Sequence, residues 1–470
     1  MQKNDLLTGF VDSLGYSGEG IVKKDGTVIF VPFALENEEI SFKILKVKKN
    51  IAYGKLEKII SASDKRVEPK CPVFKKCGGC QLQHLSYSEQ LNCKEKIVKD
   101  CFKKIAGLEI TIDKKFSSPK DYGYRNKLQL PVRMQKGEIK VGFFRENSHD
   151  VINTDDCPLQ PDWAKKVIAA IRGFIEKSGV SCYDDSTKKG LLRHVVVREI
   201  SGEFLFTVVL NGKTKKYDNQ LIEALSTVFD KFSLVINVNE RADNGILGDD
   251  YRTIFGSGKI AVEEFGVNYE LGAMSFYQVN TPVKTEIYKD VFALSSIDDK
   301  TVVIDAYSGA GVLTAMLSER AKKAYGIEIV SEAVDSANDL AKRNGISNME
   351  NICAPCEIAL PEIVKKAKGE GEKCVLVLDP PRKGVDKNAL LSVLESLPDE
   401  IVYISCSPQT LARDIGVLVG SIKEQNGALI NLSGDFSPNY QIKFVGIYDM
   451  FPQCRHVETV VRLSRSDINS

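Results

Sequence analysis

Short apolar runs alternate with amphipathic runs from about residue 272 onward. Runs that each lead through a turn into a helical pattern are typical of a parallel sheet covered by helices on both faces. Strands are predicted at 302–304, 324–327, 374–378, 401–404, 429–432 and 459–463, and helices at 313–320, 331–343, 388–395 and 410–419. The pattern predicts a mostly parallel α/β domain for residues 272–470.

A different pattern covers residues 1–62, where short β-like runs are separated by glycine-containing turns. Five such runs predict strands at 7–11, 20–23, 28–32, 40–47 and 53–60. Short strands in this arrangement are typical of a small OB-like barrel, which often serves as a nucleic-acid platform.

Residues 63–271 show no regular alternation and predict a central α+β domain. Its predicted strands are at 128–132, 139–144, 194–200, 204–210 and 234–238, and its predicted helices are at 89–104, 168–177 and 220–229.

The length of 470 residues exceeds what one hydrophobic core usually serves, which agrees with three domains. No signal peptide and no apolar run of membrane-spanning length is found, so a cytoplasmic protein is expected. The net charge is only +1, but residues 43–70 hold nine Lys or Arg against three acids. Such a stripe can follow the phosphates of a nucleic acid, although a solvated charged face is at least as good an explanation of the charge.

A glycine-containing turn follows the first strand of the α/β region. Gly309 and Gly311 allow a tight turn and a close approach of a ligand to the backbone. Glu328 ends the next strand, where an acid can accept hydrogen bonds from ribose hydroxyls. Together these residues predict a nucleotide-type cofactor site, although a lone GxG motif is weak.

Two later strands also end in candidate chemistry. Asp379 follows one strand and is held by Pro380 and Pro381, which restrict the backbone at the edge of the sheet. Cys406 follows the next strand, within Ser405-Cys406-Ser407-Pro408. A thiol at this edge lies where ligands bind in open α/β sheets. The alternative is a buried structural cysteine.

In combination these segments resemble the S-adenosylmethionine-dependent RNA uracil-C5 methyltransferases. The resemblance spans nearly the whole chain and implies a Rossmann-like methyltransferase domain at 272–470 and a TRAM domain, an RNA-binding barrel, at 1–62. It rests on Asp305-x-Tyr307-x-Gly309-x-Gly311, Asp379-Pro-Pro-Arg382, Ser405-Cys406-x-Pro408, His456-Val457-Glu458 and Ser275-Phe276-Tyr277-Gln278-Val279-Asn280. Ser407 stands where relatives often have Asn.

The resemblance also implies roles for individual residues. Cys406 would be the nucleophile and Glu458 the general base, because C5 becomes reactive only after a thiolate adds to C6 and its proton must then leave. His456 would contact substrate or orient the segment of Glu458. The cofactor, S-adenosyl-L-methionine, would be held by Gln278, Tyr307, Glu328, Asp379, Gly309 and Gly311.

Twelve cysteines in a cytosolic chain argue for metal binding or catalysis. Four of them resemble the cluster ligands of this family, namely Cys71, Cys77, Cys80 and Cys157. Four thiolates suit zinc or a [4Fe–4S] cluster. The resemblance, including Gln83-His84, favours iron–sulfur, with zinc second.

The expected partner is structured RNA with the target uridine in a loop, because a loop base is more easily unstacked. The barrel and the cysteine cluster favour 23S rRNA over tRNA, with a tRNA enzyme as the alternative and a monomer expected. Residues 124–127 and 193–194 are candidate RNA contacts. A methyltransferase acting on an exocyclic amine would need no Cys406, and a noncatalytic iron–sulfur protein would leave Cys406 and Glu458 unexplained.

Overall fold

The computed structural model describes residues 1–425, 428–431 and 439–466 of the chain. Residues 6–61 form a six-stranded sheet in the order β1-β5-β6-β4-β3-β2. Alternate residues of β5, namely Ile40, Phe42 and Ile44, are buried, as expected for a sheet with one covered face. The strands are β1 (Leu6–Phe10), β2 (Ser13–Leu14), β3 (Gly20–Lys24), β4 (Thr27–Val31), β5 (Glu39–Lys48) and β6 (Ile51–Ser61).

The central region contains a seven-stranded sheet in the order β10-β9-β8-β11-β12-β13-β14, followed by the hairpin β15-β16. Two helices, α2 and α3, cover this sheet with a shared apolar core. The elements are α1 (Tyr87–Cys101), β7 (Lys114–Phe116), β8 (Lys127–Gln135), β9 (Glu138–Phe144), β10 (Val151–Asn153), α2 (Trp163–Ser178), β11 (Leu192–Ile200), β12 (Glu203–Leu210), α3 (Asp218–Ser226), β13 (Phe232–Val238), β14 (Asp250–Phe255), β15 (Lys259–Glu264) and β16 (Val267–Gly272).

The C-terminal region is built on an eight-stranded sheet in the order β19-β18-β17-β20-β21-β25-β24-β7. The elements are α4 (Thr281–Leu294), β17 (Thr301–Ala306), α5 (Val312–Ser318), β18 (Lys323–Glu328), α6 (Ser331–Arg343), β19 (Met349–Cys353), α7 (Cys356–Gly369), β20 (Lys373–Leu378), α8 (Lys387–Ser396), β21 (Glu400–Ser405), α9 (Pro408–Val419), β22 (Ile422–Gln425), β23 (Ala428–Asn431), β24 (Tyr440–Tyr448) and β25 (Glu458–Arg465).

The strands β19, β18, β17, β20 and β21 are parallel, and β25 enters antiparallel between β21 and β24. Every residue of β17 and β21 is buried, which explains why these strands are nearly continuous apolar runs. The α/β fold predicted from the sequence is therefore confirmed.

Two predicted elements differ from the structure. The strand predicted at 429–432 is not part of the large sheet, because β23 pairs with β22 in a separate hairpin. Residue 432 itself lies outside the described residues. The helix predicted at 89–104 ends at Cys101 and continues as a π-helical turn, Phe102–Ala106, which Gly107 ends with φ 68°.

Residues 87–116 pack against the C-terminal sheet, although the sequence groups them with the central region. The strand β7 forms the outer edge of that sheet, parallel to β24. Leu91, Val98 and Phe102 lie in the same apolar core as α9. The domain limits 1–62, 63–271 and 272–470 remain predictions. Among the described residues, no helix has the length and apolarity needed to cross a bilayer.

A buried ion pair joins α1 to the loop between β24 and β25. Lys94 Nζ lies 2.6 Å from Asp449 Oδ1 and donates to the carbonyl of Phe451 at 3.0 Å. Both side chains of the pair are fully buried. Removing one partner of such a pair leaves an uncompensated charge in a medium that solvates it poorly.

We predict that Lys94→Met lowers the free energy of unfolding by about 3–5 kcal/mol, the usual cost of an unpaired buried charge. The urea midpoint, followed by circular dichroism, measures the effect. Replacing both partners, Lys94→Met with Asp449→Leu, should recover much of the loss. Lys104→Met, which breaks the exposed pair with Asp100, is the control and should hardly move the midpoint. Equal midpoints for the single and double variants would contradict the argument.

Candidate active site

A cavity of about 880 Å³ opens at the carboxyl edge of the large sheet. Parallel strands end at the same edge, so residues that follow β17, β20 and β21 meet there. Six of the eight residues predicted for catalysis and cofactor binding line it, namely Gln278, Tyr307, Gly309, Asp379, Cys406 and Glu458.

The two other predicted residues support this edge. Glu328 accepts hydrogen bonds from the backbone N–H groups of Gly309 at 3.1 Å and Val330 at 3.0 Å, so its carboxylate ties two adjoining loops together. Gly311 precedes α5 with φ 76°, and a Cβ built there would lie 2.7 Å from the Cβ of Ala337. Only glycine meets both conditions without strain.

Tyr307 adopts φ 70°, a left-handed conformation that is rare for a bulky residue. Its backbone N–H donates to the carbonyl of Ile327 at 2.9 Å, which fixes the turn. Strained backbone of this kind is retained where the surrounding structure requires it, often at ligand sites.

Two carboxyl groups, those of Asp305 and Asp379, line the cavity. Asp305 is buried and accepts a 2.6 Å hydrogen bond from Thr314 Oγ1. Burial raises the pKa of Asp305 to about 7, and the charge of Asp379 adds to this rise. Burial likewise raises the pKa of Asp379 to about 7. Asp305 belongs to the motif seen in the sequence, but no site role was predicted for it.

Cys406 and Glu458 come together through the strand register. Ser405 at the end of β21 pairs with Thr459 at the start of β25, which brings the adjoining residues Cys406 and Glu458 side by side. Burial raises the pKa of the Cys406 thiol to about 11, and the Glu458 carboxylate adds to it. Arg382 acts in the opposite direction, through its charge and a hydrogen bond to the thiol.

Glu458 is 4% exposed. Burial raises its pKa to about 8, the charge of Asp379 raises it further, and Arg382 lowers it. Arg382 is therefore a cation that acts on both groups. The sequence singled out its loop, but the effect of its side chain on Cys406 could not be read from spacing.

His456 lies next to this group and packs edge-on against Phe451, with ring centroids 5.9 Å apart. Burial lowers the pKa of His456 to about 4, and the charges of Arg382 and Arg455 add to the effect. The imidazole is therefore neutral at this position, and the two roles considered for His456 both remain predictions. Ser407, the residue before α9, donates its backbone N–H to Ser405 Oγ at 3.1 Å.

The four predicted cluster ligands, Cys71, Cys77, Cys80 and Cys157, all have free thiols. Within the residues that the structure describes, no three His, Cys, Asp or Glu side chains form a group that could hold a metal ion. The cluster is therefore not shown, and the four thiols, whose donor chemistry suits one, remain its predicted ligands.

A further thiol, Cys454, is buried and packs against Cys80 and Cys157. Its Sγ donates to the carbonyl of Gly79 at 3.0 Å. Gln83 accepts a hydrogen bond from the backbone N–H of Cys71 at 3.2 Å. Burial lowers the pKa of His84 to about 3, so this residue is neutral and packs against Phe74.

The segments predicted as RNA contacts are largely internal. Tyr124 is buried and donates to the carbonyl of Pro452 at 3.1 Å, and Asn126 donates to the carbonyl of Gln278 at 2.9 Å. Arg193 and His194 are 2% and 4% exposed. Arg193 donates to the backbone carbonyl of Arg241 at 2.9 Å. They are neighbours on β11 and so face opposite sides of the sheet, and both sides are covered because the first seven residues of β11 are all buried.

A family model described as tRNA (Uracil-5-)-methyltransferase matches residues 86–466. An uncharacterized RNA methyltransferase of Clostridium acetobutylicum is 38% identical, over 99% of this chain and 98% of its own length. A second, from Staphylococcus epidermidis, is 36% identical over 99% of both chains.

A solved structure extends the similarity to the whole fold. The Pyrococcus abyssi tRNA (uracil-54, C5)-methyltransferase, in complex with S-adenosyl-L-homocysteine, is 26% identical with a TM-score of 0.75. The match covers 97% of this chain and 100% of that one. The chain therefore belongs to the S-adenosylmethionine-dependent RNA (uracil-5-)-methyltransferase family.

Proposed function

We propose that this enzyme methylates C5 of a uridine in structured RNA through a covalent bond between Cys406 and C6 of the base. One observation carries the proposal. The thiol of Cys406, the carboxyl of Glu458 and the loop of Asp379 line one cavity, together with Gln278 and Tyr307.

The chemistry explains why a thiol and a base are both required. Carbon 5 of uracil is a weak nucleophile. When the Cys406 thiolate bonds to C6, the C5–C6 electron pair moves toward O4 and makes C5 nucleophilic. S-adenosylmethionine supplies a methyl group on a positively charged sulfur. After C5 is methylated, Glu458 takes the C5 proton, the C5–C6 double bond forms again, and the bond to Cys406 breaks.

Arg382 supports formation of the thiolate. Its hydrogen bond and positive charge oppose the rise in the pKa of Cys406 caused by burial and by Glu458. At many catalytic cysteines an adjacent side-chain cation, without any metal ion, lowers the pKa of the thiol. Glu458 must be ionised to act as a base, and its pKa of about 8 keeps a part of it in that form near neutral pH.

The positions of the predicted cofactor residues support binding of S-adenosylmethionine in this cavity. Glu328 is fixed by backbone N–H groups at the end of β18, where a carboxylate can accept hydrogen bonds from ribose hydroxyls. Gln278, Tyr307, Gly309 and Asp379 line the cavity that would hold the rest of the cofactor.

The N-terminal sheet offers a surface for RNA. The hairpin made by the end of β5 and the start of β6 exposes Lys46, Lys48 and Lys49 beside Tyr53, whose side chain is 41% exposed. Positive charge combined with exposed aromatic rings is typical of single-stranded nucleic-acid platforms. These exposed side chains support the proposed RNA-binding, TRAM-like role of residues 1–62.

We infer that 23S rRNA is the first candidate substrate, because the family resemblance of residues 1–62 and of the cysteine segment favours it. A tRNA is the second candidate, since the Pyrococcus abyssi enzyme with a uracil-54 tRNA target matches the chain over nearly its full length. The iron–sulfur cluster also remains a prediction. Cys406 and Glu458 carry the steps above without a role for it.

We predict that RNA containing 5-fluorouridine forms a covalent complex with the enzyme in the presence of S-adenosylmethionine, because fluorine at C5 cannot leave as a proton. Denaturing gel electrophoresis detects the complex. Cys406→Ala should abolish it, whereas Glu458→Gln should retain it. Glu458→Gln should also slow turnover on ordinary RNA by about 100-fold or more. A complex that survives Cys406→Ala would sink the proposed mechanism.

We predict that Arg382→Met slows alkylation of Cys406 by iodoacetamide about tenfold at about pH 8, since a rise of one pKa unit removes nine tenths of the thiolate. Peptide mass spectrometry across a pH series follows Cys406 separately from the other cysteines. Lys383→Met, next in sequence but lining a separate groove, is the matched control and should leave the profile unchanged. An unshifted profile in Arg382→Met would rule out this cation as the activator.

The substrate class is tested with transcripts of 23S rRNA and of elongator tRNAs, each supplied with radiolabelled S-adenosylmethionine. We expect methyl transfer to the 23S rRNA transcript, with 5-methyluridine as the product in a nucleoside digest. Transfer only to tRNA would select the second candidate. A methylated exocyclic amine in the digest would refute C5 chemistry altogether.

A further inference from the structure

A turn of the N-terminal sheet reaches the neighbourhood of the catalytic cavity. Residues 15–18 connect β2 to β3 and are closed by two backbone hydrogen bonds, from Gly15 N to Glu19 O at 2.7 Å and from Gly18 N to Gly15 O at 3.0 Å. The turn therefore holds Tyr16 in a fixed position at its tip.

This turn packs on the segment after the cysteine cluster. Gly18 has φ +84°, and a Cβ built there would lie 3.0 Å from Leu82 Cδ2 and 3.3 Å from Gln81 Cβ. A side chain at residue 18 would push on Leu82 and Gln81 and would be strained by the positive φ, so glycine favours the close approach.

The same segment is bonded to the loop before Glu458. The backbone N–H groups of Gln81 and Leu82 both donate to the carbonyl of Gln453, at 3.1 and 3.0 Å. The backbone N–H of Arg455 in turn reaches Gln81 Oε1 at 3.4 Å. The turn of residues 15–18 is thus one layer away from the loop that ends at Glu458.

Tyr16 is half-buried at this junction. Burial raises the pKa of its hydroxyl, and Arg455, Cys406 and Arg382 are among the groups whose charges act on it. A side chain from the first residues of the chain therefore lies within electrostatic range of the nucleophile.

The groups around Tyr16 are suited to RNA. In the part of the chain that the structure describes, neither Arg382 nor Arg455 forms an ion pair, and the buried Nε of Arg455 has no hydrogen-bond partner. Phe276, which lines the catalytic cavity, is 81% exposed. Guanidinium groups bind phosphates, and exposed aromatic rings stack on bases.

We propose that Tyr16 forms part of the mouth of the catalytic cavity and stacks on a nucleotide next to the target uridine, with Arg455 binding the adjoining phosphate. This inference rests on the proposed RNA methylation. It assigns the N-terminal sheet a direct part in holding the target nucleotide, in addition to any contact with distant RNA. Tyr16 is a substrate-positioning residue in this arrangement.

The test measures covalent-complex formation with the 5-fluorouridine RNA under single-turnover conditions, as a function of RNA concentration. We expect Tyr16→Ala to raise the RNA concentration for half-maximal rate about tenfold, since one base–aromatic stack is worth about 1–3 kcal/mol. Tyr16→Phe keeps the ring and should stay within about threefold of the wild type. Binding of S-adenosylhomocysteine, measured by calorimetry, should be unchanged in both.

Two further variants sharpen the result. Gly18→Val changes no RNA contact but displaces the turn, and we expect it to reproduce the effect of Tyr16→Ala. Tyr251→Ala removes an exposed tyrosine from β14, outside the cavity, and serves as the matched control with unchanged RNA dependence.

Each alternative has its own outcome. Unchanged RNA dependence in Tyr16→Ala, with normal complex formation, overturns the inference and leaves the proposed function intact. A shifted pH profile of Cys406 alkylation with unchanged RNA dependence assigns Tyr16 to the thiol instead. If the wild type forms no complex with rRNA or tRNA transcripts, the proposed function fails and this inference fails with it.

Discussion

The buried contact between α1 and the loop before β25 positions Glu458, the proposed base. Lys94 neutralises Asp449 in this loop, and Gln90 exchanges hydrogen bonds of 2.8 Å with both the backbone and the side chain of Gln453. The backbone of Gln453 has φ 69°, a left-handed conformation that is rare for residues other than glycine and that the surrounding contacts must hold in place. Glu458 begins β25 five residues later, so its position depends on a helix more than 350 residues earlier in the chain.

The electrostatics of the site follow from its enclosure. Burial raises the pKa values of Asp305, Asp379 and Glu458. The charge of Asp379 further raises the pKa values of Asp305 and Glu458, and the charge of Glu458 raises that of Cys406. Several anions in one poorly hydrated cavity disfavour each other's ionisation. A bound cation relieves this repulsion, so the cavity is suited to a positively charged methyl donor and to the fixed charge of Arg382.

The sequence allowed prediction of those candidate site residues whose positions follow from the local course of the chain. Tyr307, Asp379 and Cys406 each follow a strand of one parallel sheet, and such strand ends share an edge whatever the loops do. Contacts between distant segments could not be predicted. Examples are the pairing of β7 with β24, the buried partner of Lys94, and the packing of Gly18 against Leu82, since none leaves a periodic signal. Arg193 and His194 were predicted to contact RNA, but both are buried. The sequence does not show that both faces of their strand are covered, and a basic residue in a strand is otherwise expected to be exposed.

The placement of β25 between β21 and β24 has a consequence for the order in which the site is made. The strand that carries Glu458 is the last of its sheet to be synthesised, whereas α1 and β7 emerge from the ribosome long before it. Because domains begin to fold during synthesis, the apolar face of α1 and the edge of β7 must wait for partners that do not yet exist. A nascent chain would therefore contain Cys406 and the candidate cofactor loops before Glu458, the proposed base, joins the sheet.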